Sequence, residues 1–393
     1  MHAVKYLHTL FLTATIFSAI LLATPARADA GPEALLNQVF DAINQNRLDA
    51  ALTQVETLLR SNPNFRLANL IKGDLLNARV RPLRSLGDAP NAPPDRLNDL
   101  RAEAIARLKA YREPPPADKV PRYILEMRPE QRFAVVVDAQ RARLFLYQNV
   151  EGIPRLAADY YISAGKRGMD KIREGDEKTP IGVYYVTANL PRSKLSDFYG
   201  SGAFPISYPN EWDKRLGRNG HGIWLHGTPS DTFSRPPRAS NGCVVLSNHD
   251  LDALAKSLQV GLTPVIISEK IEWQSIDELA IDRKALKDAI EQWRSDWESR
   301  DTTRYLQHYS KKFSSVSQDY SAWSKHKETV NAGKEWIKVG VSGLSMFRSP
   351  GQDLIVVSFE QDYRSNNLAN SMKKRQYWIN ESGHWRIVYE GAA

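Results

Sequence analysis

The chain contains a single cysteine, Cys243, in the run Ser240-Asn241-Gly242-Cys243. Seventeen positions upstream stands His226, which ends the apolar run Ile223-Trp224-Leu225-His226 and precedes Gly227. A histidine at a strand end can face a cysteine on a glycine turn within hydrogen-bond reach, about 3 Å. That pair suits nucleophilic catalysis, with the imidazole drawing the thiol pKa below about 8.5 and supplying the thiolate. Gly242 allows close backbone approach, so N–H groups from Asn241 to Cys243 are placed to meet a developing oxyanion. One Cys and one His, without a Cys-x-x-Cys or His-x-x-His pair, are too few for a metal site. An inert buried cysteine is the competing reading of the residue taken alone.

The elements that must position this pair sit in a chain of 393 residues, long enough for two or three domains. With 42% hydrophobic and 25% charged residues, its composition excludes collagen-like, disordered and polytopic membrane proteins. The net charge of +8 suits anionic surroundings, but no Lys/Arg block interleaved with aromatics points to nucleic acid. Residues 1–28 read as a secretory signal: Lys5, the apolar run Leu10–Ala23, then Ala26-Arg27-Ala28 as a small-x-small cleavage site. That run is short for a bilayer span of roughly 20 residues. The expected location is therefore a bacterial periplasm. An unpaired thiol in an oxidising compartment favours a chemical role for Cys243.

Three regions follow the signal. Residues 29–127 read as helical: Leu48, Leu52, Val55 and Leu59, then Leu67, Ile71 and Leu75, recur at helical spacing, with a break at Asn62-Pro63. This pair resembles a single tetratricopeptide-like unit, and another amphipathic helix is expected at Leu97–Tyr111. Residues 128–270 read as a mainly-β domain, with strands at 133–138, 143–147, 160–163, 182–186, 222–226 and 264–267, and a helix starting at Ser247-Asn248. Residues 277–393 read as an α+β cone. A helix over Asp282–Glu298 and helical continuation through Tyr305–Phe313 precede strands at 336–341, 354–359, 374–379 and 385–389. Trp293, Trp297, Trp336, Trp378 and Trp385 are expected in its core and pocket wall.

The central region resembles the YkuD-type L,D-transpeptidases. The likeness rests on Gly175-Asp176-Glu177-Lys178-Thr179-Pro180-Ile181-Gly182-Val183-Tyr184, on Ile223-Trp224-Leu225-His226-Gly227-Thr228 and on Ser240-Asn241-Gly242-Cys243, in that order. One position departs from it: Asn241 stands where the family usually has His. The tail resembles nuclear-transport-factor-2-like domains, as in multidomain periplasmic members.

The resemblance implies a cysteine acyltransferase acting on peptidoglycan stem peptides without a cofactor. Cys243 would be the nucleophile and His226 the general base and acid. The Gly227 carbonyl would orient His226, and the Gly242 and Cys243 N–H groups would hold the oxyanion. Ser240, Asn241, Arg238, Tyr199 and Tyr208 are candidates to line the substrate groove. Arg235 joins Arg238 as a candidate grip for the carboxylates of a peptide acceptor, and 189–220 as a candidate lid. Transfer of the acyl group to an amine is the expected outcome. The alternatives are hydrolysis, as an L,D-carboxypeptidase or a peptidase freeing a peptidoglycan-attached protein, and a non-catalytic wall-binding scaffold. A periplasmic or outer-membrane protein is an expected partner for the helical or C-terminal region.

Overall fold

The computed structural model describes residues 31–88 and 92–393. The expected signal at 1–28 lies outside the described residues. No helix among those described is long and apolar enough to cross a membrane.

Helices Pro32–Asn44, Leu48–Ser61, Arg66–Asn77 and Pro94–Arg112 share one core, built on Leu36, Val39, Val55, Leu58, Phe65 and Ile71. These residues recur at three and four positions, which puts them on one face of each helix. The helical region does not run to 127. Beyond Pro114-Pro115-Pro116, Lys119–Pro121 pairs antiparallel with Trp273–Ser275, and Ile124–Glu126 adds an edge strand to the C-terminal sheet. Proline at three successive positions ends the helix, and the β-branched residues after it find ladder partners in the other two units.

The central domain is built on a five-stranded sheet in the order Ile153–Tyr161, Arg143–Val150, Phe133–Asp138, Pro264–Ser268, Gly182–Tyr185. Parallel pairing of Phe133–Asp138 with Pro264–Ser268 joins the domain's two ends. Alternation of side chains explains why Phe133–Asp138 is apolar throughout. Val135 and Val137 face one core of the domain with Leu144, Leu146, Tyr184 and Val265. Ala134 and Val136 face the other way, with Phe145, Tyr147, Tyr185 and Ile266. A second sheet, ordered Val244–Val245, Trp224–His226, Gly202–Pro205, Leu190–Pro191, packs Leu225, Phe204 and Val244 into the first core.

In the C-terminal unit, helix Ile276–Glu298 starts at a capping box between Ser275 and Glu278, six residues earlier than expected from its apolar stripe. The stretch expected to continue helical through Phe313 instead divides into helix Thr302–Gln307 and strand Tyr309–Ser314. Alternating Tyr309 and Phe313, both buried, belong to a strand that pairs with His384–Ala392. The six-stranded sheet runs Tyr309–Ser314, His384–Ala392, Leu368–Glu381, Leu354–Ser365, Ile337–Arg348, Ile124–Glu126. Trp293, Trp297 and Trp378 are buried under the helix, whereas Trp336 is 45% exposed at the sheet's start and is not a core residue. Trp385 is partly buried and lines a cavity of about 910 Å³ between that helix and the hairpin tips.

The two sheets share a core. Leu354, Val356, Tyr377, Val388 and Tyr389 pack against the outward row Val136, Phe145, Tyr147, Tyr185 and Ile266. Each large apolar side chain buried this way is worth about 1.5–3 kcal/mol. Glu211 extends the seam, accepting hydrogen bonds from the Tyr377 hydroxyl at 3.0 Å and from Arg375 at 3.2 Å.

Candidate active site

His226 ends strand Trp224–His226, and Cys243 immediately precedes Val244–Val245, its parallel neighbour. The register pairs Leu225 with Val244 and His226 with Val245. Leu225 and Val244 point into the core, so period-two alternation puts Trp224, His226 and Cys243 on the opposite face. The sheet thus brings together the two residues that the sequence singles out.

Their resting state differs from the thiolate expectation. The Cys243 thiol donates to the Gly222 carbonyl at 3.3 Å. Burial pushes the thiol pKa up, against a Trp224 backbone N–H and the charges of Arg235 and Lys171. Burial also lowers the His226 pKa to about 4; the Gly227 carbonyl opposes this and the Arg235 charge adds to it. Both the Cys243 thiol and the His226 imidazole are therefore neutral at neutral pH. His226 Nδ1 lies 2.7 Å from the Gly227 carbonyl, which can only accept, so Nδ1 carries the proton and Nε2 the free lone pair.

The segment after His226 is held by Asn248, the first residue of the helix capped by Ser247. Its Oδ1 accepts from the Ser201 N–H at 2.9 Å and the Thr228 N–H at 3.2 Å, and its Nδ2 donates to the Thr228 carbonyl at 2.8 Å. A Cβ on Gly227 would collide with this amide.

The turn before Cys243 is held from within and from behind. Gly242 has φ of 125°, and a Cβ there would come within 2.7 Å of the Lys178 carbonyl. Its N–H donates to Ser240 Oγ at 3.1 Å, so the expected role of this N–H in the oxyanion site does not hold in this conformation. Ser240 is 2% exposed and its hydroxyl donates to the Cys243 carbonyl at 2.6 Å; it shapes the turn and does not line a groove. Thr179, fully buried, donates to the Gly242 carbonyl at 2.9 Å and accepts from the Gly165 N–H at 2.9 Å. It sits inside the Gly175–Tyr184 motif, yet its positioning role is invisible without the fold. In the same motif Asp176 pairs with buried Lys171 at 2.7 Å and accepts three backbone N–H groups, which hold its carboxyl below the usual range against the cost of burial.

Tyr199 is the groove candidate that reaches the pair: its ring centroid lies 5.2 Å from His226 and 4.8 Å from Trp224. Phe198, 5.8 Å from His226, completes the wall; the sequence reading passed over it and Trp224. Tyr208 is 6% exposed, packs edge-on to Tyr184 at 5.8 Å and donates to the Asn219 carbonyl, so it is core and not groove. Asn241 and Arg238 are exposed. The expected lid is mostly framework: Gly202–Pro205 pairs antiparallel with Trp224–His226, leaving 192–199 as the part beside His226. His221 is also exposed, 3.6 Å from Glu174.

Residues 132–267 match the YkuD L,D-transpeptidase catalytic domain, and 285–391 match the Cds6 C-terminal NTF2-like domain. No curated protein matches the chain significantly. Bd1075 of Bdellovibrio bacteriovorus is similar in structure, with a TM-score of 0.63 and 29% identity over 70% of this chain and 98% of that one. The helical cell shape determining protein Pgp2 of Campylobacter jejuni is similar with a TM-score of 0.60 and 27% identity, over 69% of this chain and 95% of that one. The chain carries a YkuD-type L,D-transpeptidase catalytic domain fused to a C-terminal NTF2-like domain.

Proposed function

We propose that this protein is a periplasmic L,D-transpeptidase that acylates Cys243 with a peptidoglycan stem tetrapeptide and passes the acyl group to an amine. The observation that carries this reading is the Nδ1 contact of His226 with the Gly227 carbonyl, which leaves Nε2 as a base on the Cys243 face. As Sγ attacks the carbonyl at the L-centre of the diamino-acid residue, its proton passes to Nε2. The Cys243 N–H is the turn donor assigned to the oxyanion, since Gly242 is committed to Ser240. Collapse returns the proton from Nε2 to the departing D-alanine nitrogen and leaves a thioester. An incoming amine then loses its proton to Nε2 and displaces Sγ, which is reprotonated.

The burial of His226, 1% exposed behind Phe198, Tyr199 and Trp224, supports transfer over hydrolysis, because a dry base does not activate bulk water. The cell-shape role of Pgp2 supports wall remodelling as the setting. The deciding experiment is mass spectrometry of purified tetrapeptide muropeptides after incubation with enzyme and an added D-amino acid or amine. Exchanged or dimeric products are expected. Accumulation of tripeptides alone at every amine concentration makes the enzyme a hydrolase.

A further inference from the structure

The loop that joins His226 to Cys243 is gripped by the helical bundle. Phe233 stacks on Phe65 with centroids 4.2 Å apart and is packed against the bundle core. Ser234 donates to Glu103 Oε1 at 2.7 Å, and Asn64 donates to the Ser230 carbonyl at 3.1 Å. Glu103 is itself fixed by Arg107 at 2.9 Å, both nearly inaccessible to solvent. The Arg107 guanidinium lies 3.8 Å from the Tyr161 ring centroid, and the Tyr161 hydroxyl donates to the Arg235 carbonyl at 2.9 Å. The loop is therefore tied at consecutive residues, Ser234 by its side chain to the bundle and Arg235 by its carbonyl to the central sheet.

What this grip holds in place is a cation. The Arg235 guanidinium lies 4.8 Å from the centroid of Phe198, the ring beside His226. It is half-buried, and its charge reaches both Cys243 and His226. The well-buried arginines Arg107, Arg143 and Arg375 each pair with at least one carboxylate. Among the described residues, Arg235 has no carboxylate within ion-pair distance. A half-buried guanidinium that has an aromatic ring but no carboxylate beside it keeps its fork of donors free for a carboxylate.

We propose that Arg235, positioned by the helical bundle through Ser234 and Phe233, binds the terminal carboxylate of the stem peptide and so selects peptides with a free C-terminal acid. This rests on the peptidase-like first half of the proposed reaction. It makes the bundle part of the active site, acting through the loop and not by touching substrate.

The test compares a stem tetrapeptide with its C-terminal amide on the full-length mature enzyme, as wild type, Arg235→Ala and Arg235→Lys. Wild type should prefer the acid by roughly 10- to 100-fold in kcat/KM, the value of one charged hydrogen-bonded pair, with most of the difference in KM. Arg235→Ala should bring the ratio to near one by slowing the acid alone, and Arg235→Lys should retain part of it. Labelling of Cys243 by a small neutral thiol reagent reports that each variant keeps its site. An active wild type without preference, or an alanine variant that keeps it, overturns the assignment of Arg235. Should the alanine variant not fold, the wild-type ratio and the lysine variant still decide. A wild type that processes neither peptide overturns the proposed function itself.

Discussion

Thr179 and Gly242, 63 residues apart, are joined by a buried hydrogen bond of 2.9 Å from the threonine hydroxyl to the glycine carbonyl. The same hydroxyl accepts from the Gly165 N–H, so one side chain ties a strand end, the motif loop and the nucleophile turn. Thr179→Val leaves a donor and an acceptor unpaired and should cost roughly 1–3 kcal/mol. It should also lower kcat by about 10-fold or more through displacement of Cys243. Thr179→Ser should retain most of both. Thermal melts alongside acylation rates check this, and a valine variant with wild-type kcat refutes the positioning role.

Cys243→Ala should abolish turnover while leaving the melt near wild type, because the partly exposed thiol contributes chemistry more than packing. Carbapenem treatment of the wild type should give an acyl adduct on Cys243. Mass mapping that finds the adduct elsewhere, or none, counts against the nucleophile assignment.

The neutral pair sets the pH behaviour. Burial raises the thiol pKa, so iodoacetamide should react faster with every step of pH through 7 to 9, without the plateau near pH 5–6 of a thiolate–imidazolium pair. His226 has a folded pKa of about 4 against 6.5, so between these values the unfolded chain binds a proton that the folded chain does not. Its contribution to stability is complete above pH 6.5 and declines as pH falls through that window. His226→Gln should flatten the fall in melting temperature between pH 6.5 and 4; an unchanged slope overturns this account.

Asn241 is exposed at the lip of the turn, so Asn241→His should be tolerated with little change in melt or acylation rate. A large gain in rate would show that this position tunes the natural enzyme.

Truncation after residue 276 should give an insoluble or molten catalytic domain. The cut uncovers Val136, Phe145, Tyr147, Tyr185 and Ile266 together, a contiguous apolar row. Dye binding and near-ultraviolet dichroism of the fragment test this; a soluble fragment with fixed aromatic signals refutes it.

The sequence made the helices, the strand runs and the Cys243–His226 pair legible because each rests on local periodicity or on residue chemistry. Thr179, Asn248 and Phe198 were not legible, since their roles come from contacts that cross the fold. Tyr208 misled because an aromatic in a Gly/Pro-rich stretch looks exposed until Tyr184 is seen packed against it. The strand at Ile124–Glu126 was hidden for a related reason: three residues carry no period, and their partner lies beyond residue 336. Even Phe133–Asp138, read correctly as a buried strand, did not reveal that one of its faces belongs to the neighbouring unit.

A packed seam between the two sheets means that no linker sets the attitude of the NTF2-like unit to Cys243. On an extended, heterogeneous polymer, a rigid two-part tool can act only where its second face also finds room. For the proposed reaction, the peptides within reach of the thiol are then those whose surroundings leave room for that second face.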